Sequence, residues 1–122
     1  MKGSRYMRND KVLLKTIIHY CDEIEYTLKE TGNDIDDFLD NKISQYACSF
    51  CIEQIGRNVK DLSKDLTNKY NEILWSDIAG MRDVIAHNYH NIILNKIWVT
   101  VTEHIPVLKE DCEKILYELE RF

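Results

Sequence analysis

Apolar residues recur along this chain at three- and four-residue steps, the period of an α-helix with one buried face. Over residues 10–30 the positions are Leu13, Ile17, Ile18, Cys21, Ile24 and Leu28. Asp10 is placed to cap the start of this helix. Thr31-Gly32-Asn33 ends it, with Gly32 suited to a left-handed backbone. Residues 34–40 (DIDDFLD) read as a short turn of helix. A second long helix is predicted over 41–66, with the stripe Ile43, Ala47, Phe50, Cys51, Ile55, Val59, Leu62 and Leu66. Gly56 falls inside it. An interior glycine costs a helix roughly 1 kcal/mol relative to alanine, so its presence suggests close approach by another helix or by a ligand.

The same period predicts a third helix over about 70–86, carried by Trp75, Ile78, Ala79, Val84 and Ile85. The polar run His87-Asn88-Tyr89-His90-Asn91 interrupts it. A fourth helix begins near Ile92 and carries Ile93, Ile97, Val101 and Ile105. Pro106 should kink or divide that helix, because it has no N–H and its ring crowds the preceding turn. A last helix to about 120 buries Leu108, Cys112, Ile115, Leu116 and Leu119. Short connections between long helices imply an all-α fold, an up-and-down bundle of four to five helices. Residues 1–6 read as a flexible N-terminal extension and residues 7–122 as a single domain.

Composition agrees with this reading. One Pro and four Gly in 122 residues are too few breakers for a series of tight-turned strands. Charge narrows the function classes. A net charge of −5 excludes a general basic nucleic-acid binder and a polybasic membrane attachment. Any RNA contact must be local, or built by two chains. No apolar run approaches the ~20 residues of a membrane span, and the opening MKGSRYMRND lacks the apolar core of a secretory signal. A cytoplasmic protein with four reduced, buried thiols is expected.

Most chemically suggestive residues have an ordinary explanation. Cys48-Ser49-Phe50-Cys51 is a CxxC, but it lies mid-helix on an apolar stripe, without the second pair a zinc site needs. Core packing accounts for it. His19 and His104 stand alone and read as ordinary, partly exposed residues. The acidic runs at 22–25 and 34–37 lack calcium-loop spacing and suit solvated faces and helix starts. The segment Gly80-Met81-Arg82-Asp83-Val84-Ile85-Ala86-His87-Asn88-Tyr89 differs, because Arg, His and Tyr gather at the end of a helix. Arginine offers a fixed fork for phosphate. Histidine exchanges a proton near neutral pH. Tyrosine adds a hydroxyl and a stacking face. Together these are the parts needed to cut an RNA phosphodiester through its 2′-hydroxyl without metal.

The string Trp75-x-x-Ile78-x-Gly80-Met81-Arg82-Asp83-x-x-Ala86-His87-x-Tyr89 resembles the Arg-x4-His-x-Tyr signature of the HepT-like branch of the HEPN superfamily. Met7-Arg8-Asn9-Asp10, Ile55-Gly56, Trp98 and Ile105-Pro106-x-Leu108 resemble the family pattern in order and spacing, so the likeness spans roughly residues 7–120. It implies an HEPN-like helical bundle and a homodimer whose two motifs face one cleft. It implies a metal-independent endoribonuclease toxin of a type VII toxin–antitoxin pair, with an MntA-type nucleotidyltransferase as antitoxin. Arg82 and His87 would be catalytic. Tyr89 would receive the AMP that silences the toxin, and no cofactor is called for.

Two positions depart from the family pattern. Asp83 stands where relatives commonly have Asn, and Arg57 where many carry an acidic residue. With Asn88 and His90 they are candidate cleft-lining residues, and Asp83 and Arg57 could exchange charge between helices. The competing reading is a non-catalytic substrate- or partner-binding subunit of a nucleotidyltransferase. The acidic charge and Asp83 favour that reading; the Arg82/His87 pair favours the ribonuclease.

Overall fold

The structure is a computed structural model that describes residues 2–85 and 91–121, without the side chains of 2–8, 83–85 and 91–92. Among the described residues it is all helical, as the apolar period predicts. The elements are α1 (Lys2–Thr31), α2 (Ile35–Asp40), α3 (Lys42–Asp61), α4 (Lys64–Lys69), α5 (Trp75–Ile85), α6 (Asn91–Val99), a π-helical turn (Thr100–His104) and α7 (Ile105–Glu120). The helix α3 packs against α1 on one side and α5 on the other, and α7 lies along α1.

Leu14, Ile17, Ile24, Ile52, Ile55, Ile97 and Ile115 are almost wholly buried. Each such side chain contributes about 1.5–3 kcal/mol by leaving water. Phe38 fills the space between α2 and α6, its ring 5.5 Å from that of Trp98. Buried Gln45 donates its side-chain N–H to the carbonyls of Phe38 and Leu39 at 2.9 and 3.1 Å. Those are carbonyls of the last turn of α2, which have no partner within the helix itself.

Punctuation follows the expected chemistry at several joints. Gly32 has φ +110°, and its N–H closes on the Leu28 carbonyl at 3.0 Å. Asp34 caps α2 by accepting from the Asp37 N–H at 2.9 Å. Asn41 caps α3 by accepting from the Ser44 N–H at 3.0 Å. At Pro106 the missing N–H is absorbed by the π turn, which ends one residue before α7 opens with the proline in its first turn.

Four local expectations are corrected. Asp10 is not an N-cap, since α1 runs through it. Its buried carboxylate instead accepts from the Ser63 N–H at 2.9 Å and the Ser63 Oγ–H at 2.6 Å. The predicted helix over 41–66 breaks at Leu62-Ser63, where ψ turns to the extended range and Ser63 caps α4 through the Leu66 N–H. Its predicted stripe holds from Cys51 onward, with Cys51, Ile55, Val59, Leu62 and Leu66 buried, but fails in the first half of the helix. Ile43 and Phe50 are exposed, and Ser44, Cys48, Ile52, Ile55, Gly56 and Val59 face inward. The third helix starts at Trp75 rather than 70. The turn before it is held by the Trp75 indole N–H donating to the Tyr70 carbonyl at 3.0 Å, and Tyr70 donates its hydroxyl to Glu118 of α7.

Candidate functional site

The site begins at one glycine. A Cβ on Gly56 of α3 would stand 3.1 Å from the Ala79 carbonyl oxygen and 3.4 and 3.5 Å from Cβ and Cδ of Arg82. The absence of a side chain there lets the backbone of α5 come down onto α3. The close approach expected at Gly56 is therefore with a helix, and the aliphatic stem of Arg82 lies across it. Arg82 is half-buried in the last turn of α5. A stem held on protein with the guanidinium toward water is the usual disposition of an arginine at a surface. Among the described residues Arg82 has no ion pair.

Arg57 follows Gly56 on α3 and is exposed. It too lacks an ion pair among the described residues. Asp83 continues α5, and its side chain lies outside the description. His87, Asn88, Tyr89 and His90 lie outside the described residues altogether. Of these residues the structure brings only Arg82, among those described, to the α3–α5 contact at Gly56. No group of three or more His, Cys, Asp or Glu among the described residues is placed to hold a metal ion.

Beside this contact lies a cleft of about 400 Å³ between α5 and the α6–π segment. Met81, the neighbour of Arg82, forms one wall. Ile52, one helical turn before Gly56, forms the floor, and Val99 and Lys96 form the opposite wall with His104 at the rim. The sequence offered no cue to this cleft, because its walls come from three segments far apart in the chain.

The cysteines are confirmed as core. All four are buried free thiols. Desolvation pushes Cys48 up to about 12, reinforced by its neighbour Cys51, and pushes Cys51 up to about 11. A thiol so hard to ionise is a poor nucleophile and a poor metal ligand. His19 is exposed and sits 3.9 Å from Glu23, one turn away. Lys109 ties α7 to α1 through Asp22 at 2.7 Å and Glu25 at 3.3 Å. The hydrogen bond to Asp22, more than any other influence, raises its affinity for its proton.

Comparison with known proteins identifies the family. Residues 17–115 match the ribonuclease HepT-like family. This chain belongs to that family. A Methanocaldococcus jannaschii protein that bears an RNase name by inference is 37% identical over 113 residues, covering 93% of this chain and 96% of the relative. A Caldanaerobacter subterraneus protein, also named an RNase by inference, is 31% identical over 110 residues, covering 90% and 96%. A Thermococcus cleftensis protein named ribonuclease HepT, again by inference, is 34% identical over 108 residues, covering 88% and 96%. No solved structure matches. The all-α bundle suits the HEPN superfamily. Among the described residues no helix is long and apolar enough to cross a membrane.

Proposed function

We propose that this HepT-like protein is a metal-independent endoribonuclease, the toxin of a type VII toxin–antitoxin pair. The observation that carries the reading is Arg82: its stem is seated on Gly56, its guanidinium has no ion pair among the described residues, and it lies within the span that matches the ribonuclease HepT-like family. The fork of Arg82 holds the non-bridging oxygens of the scissile phosphate. His87 takes the proton of the adjacent 2′-hydroxyl as that oxygen attacks phosphorus. The P–O5′ bond breaks, and the departing oxygen takes a proton. The products are a 2′,3′-cyclic phosphate and a 5′-hydroxyl.

Two copies related by a two-fold axis would bring two Arg82 residues to one cleft. That concentrates positive potential on a protein whose net charge is −5. Within that cleft Arg57 would offset the carboxylate of Asp83, with Asn88 and His90 as further candidates to line it. The partner is an MntA-type nucleotidyltransferase that silences the toxin by attaching AMP to Tyr89. The new phosphate then occupies the place of substrate beside Arg82. The cytoplasm, where such a pair meets RNA, is the compartment that follows.

The deciding experiment is cleavage of total RNA by purified protein. His87→Ala should lower the rate by about 10²–10⁴-fold, the usual cost of losing a proton-transfer group. Arg82→Lys should also fail, since a point charge does not replace a fork. Cleavage should persist in excess EDTA, and DNA should be untouched for want of the 2′-hydroxyl. Loss on chelation, or cutting of DNA, refutes the mechanism. Intact mass after co-expression with the nucleotidyltransferase should rise by one or more AMP units, and Tyr89→Phe should abolish the rise. Light scattering at micromolar concentration should show a dimer. An RNA-binding protein with no cleavage in any of these assays would instead be the non-catalytic subunit.

A further inference from the structure

We propose that the cleft between α5 and the α6–π segment is a nucleoside subsite. It would seat one base of a single-stranded RNA next to the bond held by Arg82, with Lys96 on a neighbouring phosphate and His104 against the face of the base. The proposal rests on the ribonuclease reading above and adds to it where the strand lies.

Position comes first. Met81, which walls the cleft, adjoins Arg82, and Ile52 in its floor lies one turn from the glycine on which Arg82 rests. A strand whose phosphate is on Arg82 therefore passes this opening. Size and lining agree. About 400 Å³ is within the range of small-ligand sites and has room for a single nucleoside. Ile52, Met81 and Val99 present apolar surface to the face of a base, while Asn95, Lys96 and His104 offer polar groups at the edge. A thioether and an imidazole are both good neighbours for an aromatic ring.

Charge distinguishes the lining of this cleft from that of three other clefts among the described residues. The cleft between α1 and α7 carries Glu25, Glu110 and Glu113. The one between α5 and α7, which adjoins the α5–α6 cleft at Met81, Thr100 and His104, carries Glu72, Asp77 and Asp111 on its far side. The shallow one on the outer side of α1 carries Asp22 and Glu25. Among the described residues that line the α5–α6 cleft there is no carboxylate, and Lys96 has no ion pair among the described residues. On an acidic protein, a polyanion settles where carboxylates are absent and a cation is free. The π turn contributes as well. Such turns often mark functional sites, and this one delivers exposed His104 to the rim.

The test uses the full-length protein and a short single-stranded RNA with 2′-O-methyl sugars, which blocks the nucleophile and separates binding from cutting. Wild type should bind it. Lys96→Ala should weaken binding about tenfold and lower the slope of log K against log salt by about one phosphate contact. His104→Ala should also weaken binding about tenfold, while His104→Phe should keep it, because a ring still stacks on the base. Val99→Trp should block the cleft. Lys114→Ala, on the exposed side of α7, should change nothing. All these residues are exposed, so folded variants are expected, and circular dichroism checks each.

Binding unaffected by Lys96, His104 and Val99 variants but lost in Arg82→Ala overturns the subsite and leaves the ribonuclease reading standing. Binding through the cleft by a protein that cuts no unmodified RNA keeps the subsite and sinks the ribonuclease. Variants that alter oligomeric state without altering RNA affinity overturn the subsite in favour of a protein interface. Absence of both binding and cleavage in the wild type overturns both.

Discussion

Gly56→Ala isolates the contact that places Arg82. In α3 alone the substitution gains roughly 1 kcal/mol, the usual advantage of alanine over glycine inside a helix. Against this stands the carbonyl oxygen of Ala79, 3.1 Å from the new methyl. That atom is backbone, so the contact is relieved only when α5 backs away from α3 by a few tenths of an ångström. Overpacking costs about 1–3 kcal/mol, and one short contact belongs at the low end. The two effects nearly cancel, so the melting temperature should stay within about 6 °C of wild type.

If Arg82 holds the scissile phosphate as proposed, catalysis has no such compensation. Arg82 moves with α5, and a misplacement of about 1 Å can cost about 10²-fold in rate. A few tenths should therefore cost about three- to fivefold. Gly56→Leu, which must push α5 much further, should destabilise by about 2–3 kcal/mol and lower the rate by about 10²-fold or more. Thermal melts followed by circular dichroism give the stability, and single-turnover cleavage of a defined RNA gives the rate. A Gly56→Ala protein that gains the full helix advantage and cuts at the wild-type rate would show that Gly56 has no part in seating Arg82.

Three further outcomes are expected. Asp10→Ala should destabilise by about 2 kcal/mol in urea unfolding, because it orphans the part-buried Ser63 N–H and hydroxyl that join α1 to the α3–α4 corner. Trp75→Phe should cost about 1–2 kcal/mol through the lost indole bond to the Tyr70 carbonyl. The buried thiols should resist iodoacetamide at pH 8 until the protein unfolds. Unfolded cysteines ionise near 9, whereas Cys21 and Cys48 hold their protons to about 12, largely through desolvation. Above pH 9 the unfolded state therefore binds fewer protons, so stability is full below that pH and falls progressively as pH rises toward 12.

Helix content and most of the core were legible in the sequence, because the 3.6-residue period records which positions leave water. Leu28 and Ile24 on α1, and Leu108, Cys112 and Ile115 on α7, are buried as their spacing requires. Local punctuation was legible where one residue decides it, as at Gly32 with its left-handed φ and at Pro106 before α7. The family could also be read directly, since the resemblance rested on a string of residue types at fixed spacing, and residues 17–115 match it.

What the chain could not disclose depended on partners distant in sequence. Apolar side chains on α3 outnumber the positions its neighbours can cover, so Ile43 and Phe50 read as core although the packing partners, chiefly α1 and α5, decide which face turns inward. Asp10 suited a helix cap by type, and its true partner, Ser63, is 53 residues away. Leu62-Ser63 carried apolar period straight across a break, because the break is stabilised by that same aspartate. The seat of Arg82 on Gly56, and the cleft beside it with no carboxylate among its described lining residues, exist only once α5 has docked on α3. Period and spacing are properties of one segment, whereas a site is made where segments meet, and the geometry of that meeting is set by packing.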